Sequence, residues 1–324
     1  MRDGALTRGD LVEVRNATEI LETLDERGEL DGLPFMPEMV AYCGRRFTVD
    51  RRAEKVCDTV NSTLQSRRLP STVLLDDLRC DGSGHGGCEA ECRFFWREAW
   101  LRKVDAGART VPADDDRQAV QALLERTCGN ARAEGDEARF QCQATELTRA
   151  SVGLSTNDPR PYLRELTCSN VSIRTFTRVM SRAVVMQPMH HFGVLRRPKG
   201  DNVRSPRAEP LDLQPGEWVR VKPLPEIEAT LTTNGANRGL HFDIEMAAFC
   251  GHVMRVASRV QRIIDEPTGK MLEFGSDCIK LEGAVCSGER STGRWFCPRE
   301  IYPYWRECWL ERVDAPADAT AGRP

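Results

Sequence analysis

The chain contains an internal duplication, which constrains its fold more than any other feature. A shift of 207 residues aligns residues 9–52 with residues 216–259 without a gap. The residues of the first copy whose types recur are Gly9, Val12, Val14, Glu19, Ile20, Thr23, Leu24, Gly28, Gly32, Leu33, Phe35, Glu38, Met39, Cys43, Gly44, Val49 and Arg52. Self-similarity over such a length indicates two homologous domains.

The match resumes after a stretch of variable length. Cys80, Gly82 and Cys88 correspond to Cys286, Gly288 and Cys297, and residues 96–101 correspond to residues 305–310. Each copy therefore has about the commonest size of a folding domain. We call the copies repeat 1 (1–108) and repeat 2 (206–324), and the region between them the middle segment (109–205).

Short alternating runs within each repeat predict β-strands. In repeat 1 they are residues 9–14, 45–50, 72–78 and 99–104, which favour a small barrel or a curled sheet. The opening Gly-Asp-x-Val-x-Val, followed by Tyr42-Cys43-Gly44-Arg45, resembles the SH3-like barrels of nitrile hydratase beta subunits. That resemblance implies a fold and no activity. The repeated tryptophans at 96, 100, 305 and 309 are expected to fill the cores.

The middle segment has a different periodicity. Apolar residues recur at three- and four-residue spacing in 119–134, 138–151, 159–168 and 173–185, which predicts three or four helices. A linker rich in Pro, Gly and Arg follows at 196–215. The predicted fold class is thus α+β, with two homologous small SH3-like β-barrel domains flanking a helical middle domain.

Composition excludes several classes of function. The mean hydropathy is -0.47 and no run of about 18 apolar residues occurs, so no membrane span is expected. The net charge of -3 makes nucleic acid an improbable partner. The first residues lack the pattern of a signal peptide, so we expect a cytoplasmic protein. Forty Arg against six Lys indicate a GC-rich bacterial genome.

Thirteen cysteines are too many to be incidental in such a chain. Thiols stay reduced in the cytoplasm, so we interpret them as metal ligands or redox groups rather than as disulfides. Three positions recur in both repeats, namely Cys43 with Cys250, Cys80 with Cys286, and Cys88 with Cys297.

The glycine-rich loop at 80–92 is the strongest candidate for a metal site. It carries Cys80, Cys88, Cys92 and His85 within thirteen residues, and we predict Cys57 as a further ligand. Repeat 1 also contributes Cys43. The predicted metal-ligating residues of repeat 2 are Cys250, Cys278, Cys286, Cys297 and Cys308.

The spacing of these cysteines bears on the kind of metal. Zinc sites usually contain paired Cys-x-x-Cys, which this chain lacks, so the irregular spacing favours an iron–sulfur cluster. Zinc remains the alternative because His85 completes an ordinary Cys3His ligand set.

The middle segment contains three further cysteines, Cys128, Cys142 and Cys168. Three thiolates either bind a cluster that has one open iron or include a reactive thiol, so we predict a cofactor site there. The alternative is that they are small buried apolar residues on helix faces.

Two other sequence patterns bear on function. Residues 82–87 match Gly-x-Gly-x-x-Gly, but they lead into Cys88 and have no counterpart in repeat 2, which argues against a nucleotide site. The repeated Glu38 and Arg52, with Glu245 and Arg259, predict either a buried ion pair or an acid–base set in each repeat, and we favour the ion pair.

The whole chain is similar to cysteine-rich actinobacterial proteins, on Cys-Asp-Gly-x-x-His-Gly-Gly-Cys at 80–88 and Phe-Trp-x-Glu-Ala-Trp-Leu at 95–101. The resemblance implies no activity. The leading hypothesis is a protein with iron–sulfur or zinc centres, acting as a redox or metal-dependent enzyme, or its accessory, in a bacterial biosynthetic pathway. The alternative is a tandem SH3-like scaffold with structural zinc. A protein partner or a small-molecule substrate is expected.

Overall fold

The computed structural model describes residues 5–61, 65–105, 117–128, 131–134, 137–155, 158–191, 197–291 and 293–316, with the backbone alone at 131–134, 137 and 186–191. The chain forms two compact units. Unit 1 comprises Met1–Met180, Ile263–Leu272 and Thr292–Glu300, and unit 2 comprises Ser181–Arg262, Glu273–Ser291 and Ile301–Pro324. Two segments of repeat 2 thus belong to unit 1, and the middle segment is divided at residue 180.

The first twelve strands lie in unit 1. They are β1 (Leu11–Val14), β2 (Glu29–Leu30), β3 (Leu33–Pro34), β4 (Arg46–Arg52), β5 (Val56–Cys57), β6 (Ser66–Arg68), β7 (Thr72–Leu75), β8 (Trp96–Arg97), β9 (Leu101–Lys103), β10 (Ala131–Glu134), β11 (Glu137–Phe140) and β12 (Val152–Gly153). The main sheet has the order β8-β7-β4-β1-β9, with antiparallel neighbours. The four strands predicted for repeat 1 are confirmed as β1, β4, β7 and β9.

The remaining strands are β13 (Trp218–Val221), β14 (Ala236–Asn237), β15 (Leu240–His241), β16 (Val253–Arg259), β17 (Arg262–Ile264), β18 (Met271–Glu273), β19 (Ile279–Leu281) and β20 (Leu310–Arg312). The sheet of unit 2 has the order β19-β16-β13-β20. Its registers repeat those of unit 1, since Val219 pairs with Met254 as Val12 pairs with Phe47. The bulges in β4 after Val49 and in β16 after Val256 also correspond.

Both main sheets are open. None of the sheets formed by the described strands closes into a barrel. In unit 1 the edge strands β8 and β9 are joined by the 3-10 helix Glu98–Trp100 and are not paired with each other. The closed barrel predicted from the sequence is therefore not formed by these strands, and the fold is a mixed arrangement of helices and small sheets.

The repeated tryptophans lie in the cores, as predicted. Trp96, Trp100, Trp305 and Trp309 are fully buried. The Trp100 indole donates a hydrogen bond to Thr23 at 3.1 Å, and the equivalent Trp309 donates to Thr230 at 2.9 Å. Satisfying the indole N–H allows so large an apolar ring to be buried without a polar penalty.

The helices are α1 (Ala17–Leu21), α2 (Arg117–Cys128), α3 (Leu147–Ala150), α4 (Arg160–Thr167), α5 (Ile173–His191) and α6 (Leu224–Glu228), with further 3-10 helices at Pro37–Tyr42, Met246–Phe249 and Glu307–Trp309. The predicted helix over 119–134 ends instead at Cys128, where Gly129 and Asn130 follow, residues that commonly end helices. The hairpin of β10 and β11 comes next, in place of the predicted continuous helices.

No helix among the described residues is long and apolar enough to cross a lipid bilayer.

Candidate metal centre

The loop at 80–92 folds tightly upon itself. The backbone N–H of Cys80 donates to the carbonyl of Cys92 at 2.9 Å, which joins the two ends of the loop. Gly82 adopts a φ of +71°, and a Cβ atom there would lie 2.0 Å from the carbonyl oxygen of Cys88. Glycine is therefore required at this position, and the fold of the loop brings Cys80, Cys88 and Cys92 into one region.

Glu38 holds this loop from the first turn of the 3-10 helix Pro37–Tyr42. Its Oε1 accepts hydrogen bonds from the backbone N–H of Gly84 at 3.0 Å and from the Cys80 thiol at 3.5 Å, and lies 2.7 Å from His85 Nδ1. Burial opposes ionisation of Glu38, but the hydrogen bond and charge of His85 lower the pKa of its carboxyl overall. Glu38 and Cys80 are half-buried, and His85 is buried.

Four cysteines line one small cavity in unit 1. Its volume is about 40 Å³. The polar residues that line it include Cys80, Cys88, Cys92, Cys142, His85 and Arg299. Three of the cysteines come from the loop at 80–92, whereas Cys142 follows β11. Their convergence is the main result of the tertiary structure.

Gln143 fixes Cys142 at this cavity. Its buried amide accepts a hydrogen bond from the Phe95 N–H at 2.8 Å and donates to the carbonyls of Phe95 at 2.8 Å and Pro34 at 3.0 Å. These bonds tie the residue beside Cys142 to the chain that follows the cysteine loop.

Backbone N–H groups donate to three of the four sulfurs. Gly82 donates to Cys80 Sγ at 3.4 Å and Ile264 donates to Cys88 Sγ at 3.3 Å. The backbone of Thr145 and Ala144 is hydrogen-bonded to the thiol of Cys142 and stabilises its anionic form. Such donors stabilise negative charge on sulfur and tune metal–sulfur centres.

Burial nevertheless dominates the ionisation of these thiols. It raises the pKa of Cys80 far above the ordinary value, the pKa of Cys92 to about 12 and the pKa of Cys142 to about 11. The thiols of Cys80, Cys92 and Cys142 therefore remain protonated at neutral pH in the protein alone. A bound cation would supply the charge needed to hold them as thiolates.

Arg299 is a buried positive charge beside this group. It is only 4% exposed, and its Nη2 donates to Glu266 Oε1 at 3.0 Å. Its charge lowers the pKa of Cys92, against the larger effects of burial and Glu266. It also lines the cavity, although it comes from repeat 2 in the sequence.

The donor atoms of Glu38, Cys80 and His85 all lie within 4.8 Å of one another. Among the described residues, no three cysteine sulfurs satisfy the same distance. Glu38 Oε2 is buried and accepts no hydrogen bond from any described residue. The region therefore contains one tight group of mixed donors and one wider group of sulfurs, which share Cys80.

Unit 2 shows what the repeated glutamate does without the extra cysteines. Glu245, the counterpart of Glu38, accepts hydrogen bonds from Ser287 Oγ at 2.8 Å and from the N–H groups of Arg290 at 2.7 Å and Ser291 at 2.6 Å. Both glutamates thus hold the loop that follows the repeated cysteine. The predicted pairs with Arg52 and Arg259 are not the ones formed, because these arginines contact Glu98 and Glu307 instead.

The other predicted ligands are distributed over both units. All thirteen cysteines are described, and none forms a disulfide. Cys57 was predicted as a further ligand beside the loop cysteines. It lies next to Cys297 in unit 1. Cys43 follows the 3-10 helix that carries Glu38.

In unit 2, Cys308 belongs to the hydrophobic core, Cys250 packs against that core, Cys278 is buried, and Cys286 is half-buried. Of the three cysteines of the middle segment, Cys142 lines the cavity, Cys128 is exposed at the end of α2, and Cys168 is half-buried after α4. The structure thus does not bring Cys128, Cys142 and Cys168 together.

Sequence reasoning assigned Cys142 to another site and did not identify Arg299. No spacing pattern connects either residue to the loop at 80–92. Glu38 did carry a signal, since it recurs as Glu245.

None of the protein-family models, curated proteins or solved structures compared with this chain matches it.

Proposed function

We propose that unit 1 binds an iron–sulfur cluster through Cys80, Cys88, Cys92 and Cys142, and that the protein transfers electrons through it. The observation that carries this proposal is the convergence of four thiols on one cavity. Four cysteine thiolates are the usual ligands of both two-iron and four-iron clusters.

The spacing of the sulfurs supports a cluster over a single zinc ion. Zinc–sulfur bonds of about 2.3 Å in a tetrahedral site place two sulfurs roughly 3.8 Å apart. No three cysteine sulfurs among the described residues lie within 4.8 Å of one another. A four-iron cluster accommodates wider spacing because each thiolate binds a different iron.

The size of the cavity points the same way. A cavity needs roughly 10–15 Å³ to hold one water molecule. The cavity that the four cysteines help to line is about 40 Å³, which is more than one water molecule needs. Backbone N–H groups that donate to Cys80 and Cys88 add a feature typical of iron–sulfur sites.

The number of ligands favours electron transfer over catalysis at the metal. Four protein thiolates occupy every external position of a four-iron cluster, which leaves no iron open to a substrate. The protein would then serve as a redox accessory in a bacterial biosynthetic pathway, in a reducing cytoplasm. A partner protein that donates or accepts electrons follows from this role.

A second candidate is one zinc ion at Glu38, Cys80 and His85. It is favoured by the closeness of these donors, which lie within 4.8 Å of one another, and by the buried Glu38 Oε2, to which no described group donates. It would leave one position for water or substrate. Against it, the equivalent Glu245 fills the same loop-holding role with no histidine partner.

Anaerobic purification followed by metal analysis and absorption spectroscopy tests both candidates. We expect equal amounts of iron and inorganic sulfide, with broad absorbance near 400 nm. Cys142→Ala should lower the iron content at least fivefold, whereas Cys128→Ala, which removes an exposed cysteine, should leave it unchanged.

Colourless protein with one zinc, retained in Cys142→Ala and lost in His85→Ala, would overturn the cluster and establish the second candidate. Protein that contains no metal would overturn both. A zinc content that responds to neither substitution would instead favour the tandem SH3-like scaffold.

A further inference from the structure

Cys57 and Cys297 form a buried pair of thiols in unit 1. The backbone N–H of Cys57 donates to Cys297 Sγ at 3.2 Å, and the two side chains are hydrogen-bonded to each other. The residues are 6% and 4% exposed. Two thiols in mutual contact, shielded from bulk solvent, are placed to form a disulfide without an external thiol.

Two buried cations accompany this pair. Arg299 Nη1 lies 4.0 Å from Cys57 Sγ and donates to the Cys57 carbonyl at 3.4 Å. The ammonium group of Lys55, only 2% exposed, interacts electrostatically with Cys297 and Cys57. Two positive charges close to the pair oppose binding of a further metal ion here and favour the thiolate form of a cysteine.

Arg299 connects the thiol pair to the four-cysteine cavity. The same side chain that approaches Cys57 also lines the cavity and stabilises Cys92 electrostatically. The two groups of sulfur atoms therefore share a first neighbour, which places them within a range where electrons move between redox groups without diffusion of a small molecule.

We infer that Cys57 and Cys297 are a dithiol–disulfide couple that exchanges electrons with the cluster in the neighbouring cavity, an inference that rests on the proposed function. On oxidation both S–H bonds break and one S–S bond forms. The two protons would pass to water, and the two electrons would reduce an external one-electron acceptor twice. A cluster held by Cys80, Cys88, Cys92 and Cys142 would carry these electrons one at a time.

The surroundings of the pair suit this reaction. The hydrogen bond from Cys57 to Cys297, together with burial, raises the pKa of Cys57 well above its ordinary value, so Cys57 acts as donor and Cys297 as acceptor. Arg299 Nη1 also donates to Thr59 Oγ1 at 2.5 Å, and Thr59 is hydrogen-bonded to Glu266. The Glu266 side chain is 20% exposed, so a polar route joins the thiols to water.

The test combines coulometric oxidation of the anaerobic, iron-loaded protein with mass spectrometry after alkylation of the remaining thiols. Wild-type protein should release two more electrons per chain than Cys57→Ser and Cys297→Ser, and should yield the Cys57–Cys297 disulfide peptide. Both variants should retain the iron and the visible absorbance of the wild type. Cys168→Ser, a half-buried cysteine outside both groups, should behave like the wild type.

The dependence on the cluster is tested in Cys142→Ala and Cys88→Ala, in which the same disulfide should form at least tenfold more slowly. Equal rates in iron-free and iron-loaded protein would overturn the coupling, as would iron-loaded wild type that forms no disulfide. Wild type without iron overturns the proposed function, and the coupling with it. These outcomes therefore distinguish failure of the coupling alone from failure of both.

Discussion

The backbone N–H of Cys57 donates to the sulfur of Cys297 at 3.2 Å, although 240 residues separate the two in sequence. Cys297 is the counterpart in repeat 2 of Cys88, which lines the four-cysteine cavity. A cysteine position inherited by both repeats thus has different surroundings in each copy. Duplication preserved the strands and their registers and left the loops free to diverge.

Replacement of Gly82 by alanine should prevent assembly of the cysteine loop. The new Cβ would lie 2.0 Å from the Cys88 carbonyl, at a φ of +71° that disfavours any other residue. We expect a loss of roughly 1–3 kcal/mol in the free energy of unfolding, together with most of the bound metal. Thermal unfolding and metal analysis measure the two effects.

Gly275→Ala is the matched control for this change, because no atom lies within 4 Å of a Cβ built there. Equal metal contents in Gly82→Ala and Gly275→Ala would contradict the requirement for glycine in the loop.

Gln143→Leu should reduce metal binding without removing any ligand. The substitution leaves the backbone groups of Phe95 and the carbonyl of Pro34 without their side-chain partner in a buried region. Each buried group left unsatisfied costs about 1–3 kcal/mol. The free energy of unfolding, measured by chemical denaturation, and the iron content should both decrease, because Cys142 is no longer held in place by Gln143.

Gln121→Leu provides the comparison, as the Gln121 side chain makes an exposed hydrogen bond to Glu125 on α2. A Gln143→Leu protein with normal iron content would show that Cys142 is positioned by other contacts.

Glu165 should make stability depend on pH. Burial raises the pKa of its carboxyl from 4.5 to about 8, so the folded state retains a proton that the unfolded chain has already lost. The stabilisation from this group is fully present below pH 4.5. Between pH 4.5 and pH 8 it declines by about 1.4 kcal/mol for each pH unit. Above pH 8 the decline from this group ends.

Glu165→Gln cannot ionise, so the difference in unfolding free energy between it and wild type should shift in favour of the variant as pH rises from 4.5 to 8. Burial lowers the pKa of Lys55 from 10.5 to about 8. Its titration therefore changes the free energy of unfolding mainly between pH 8 and pH 10.5, above the range of this comparison. Parallel stability curves for the two proteins from pH 5 to pH 8 would be inconsistent with a neutral buried Glu165.

Glu307→Gln should destabilise unit 2. The Glu307 carboxylate accepts hydrogen bonds from the N–H groups of Leu211 at 2.7 Å and Leu213 at 3.0 Å and pairs with Arg259 at 2.6 Å. The glutamine side chain would place an N–H₂ group against partners that are themselves hydrogen-bond donors. We therefore expect the free energy of unfolding to fall by roughly 2–4 kcal/mol. Glu311→Gln, at an exposed pair with Arg220, should cost less than about 1 kcal/mol.

Urea denaturation of both variants provides the measurement. An effect of Glu307→Gln no larger than that of Glu311→Gln would mean that this buried carboxylate is not a structural anchor.

The sequence by itself determined the duplication, the strands and the tryptophan cores. These features depend on alternation along a strand and on residue types that recur at a fixed shift, and both are properties of neighbouring or aligned positions. The grouping of Cys80, Cys88 and Cys92 was predictable for the same reason, because thirteen residues with several glycines form one loop.

Only the tertiary structure decided which residues complete the candidate site. Cys142 reaches the cavity through the hydrogen bonds of Gln143 to Phe95, and Arg299 reaches it because a segment of repeat 2 belongs to unit 1. It also placed Cys57 beside Cys297, and it placed Arg299 next to both this pair and the cavity. Contacts between residues far apart in sequence depend on how loops pack against the sheets, and local spacing carries no record of that packing.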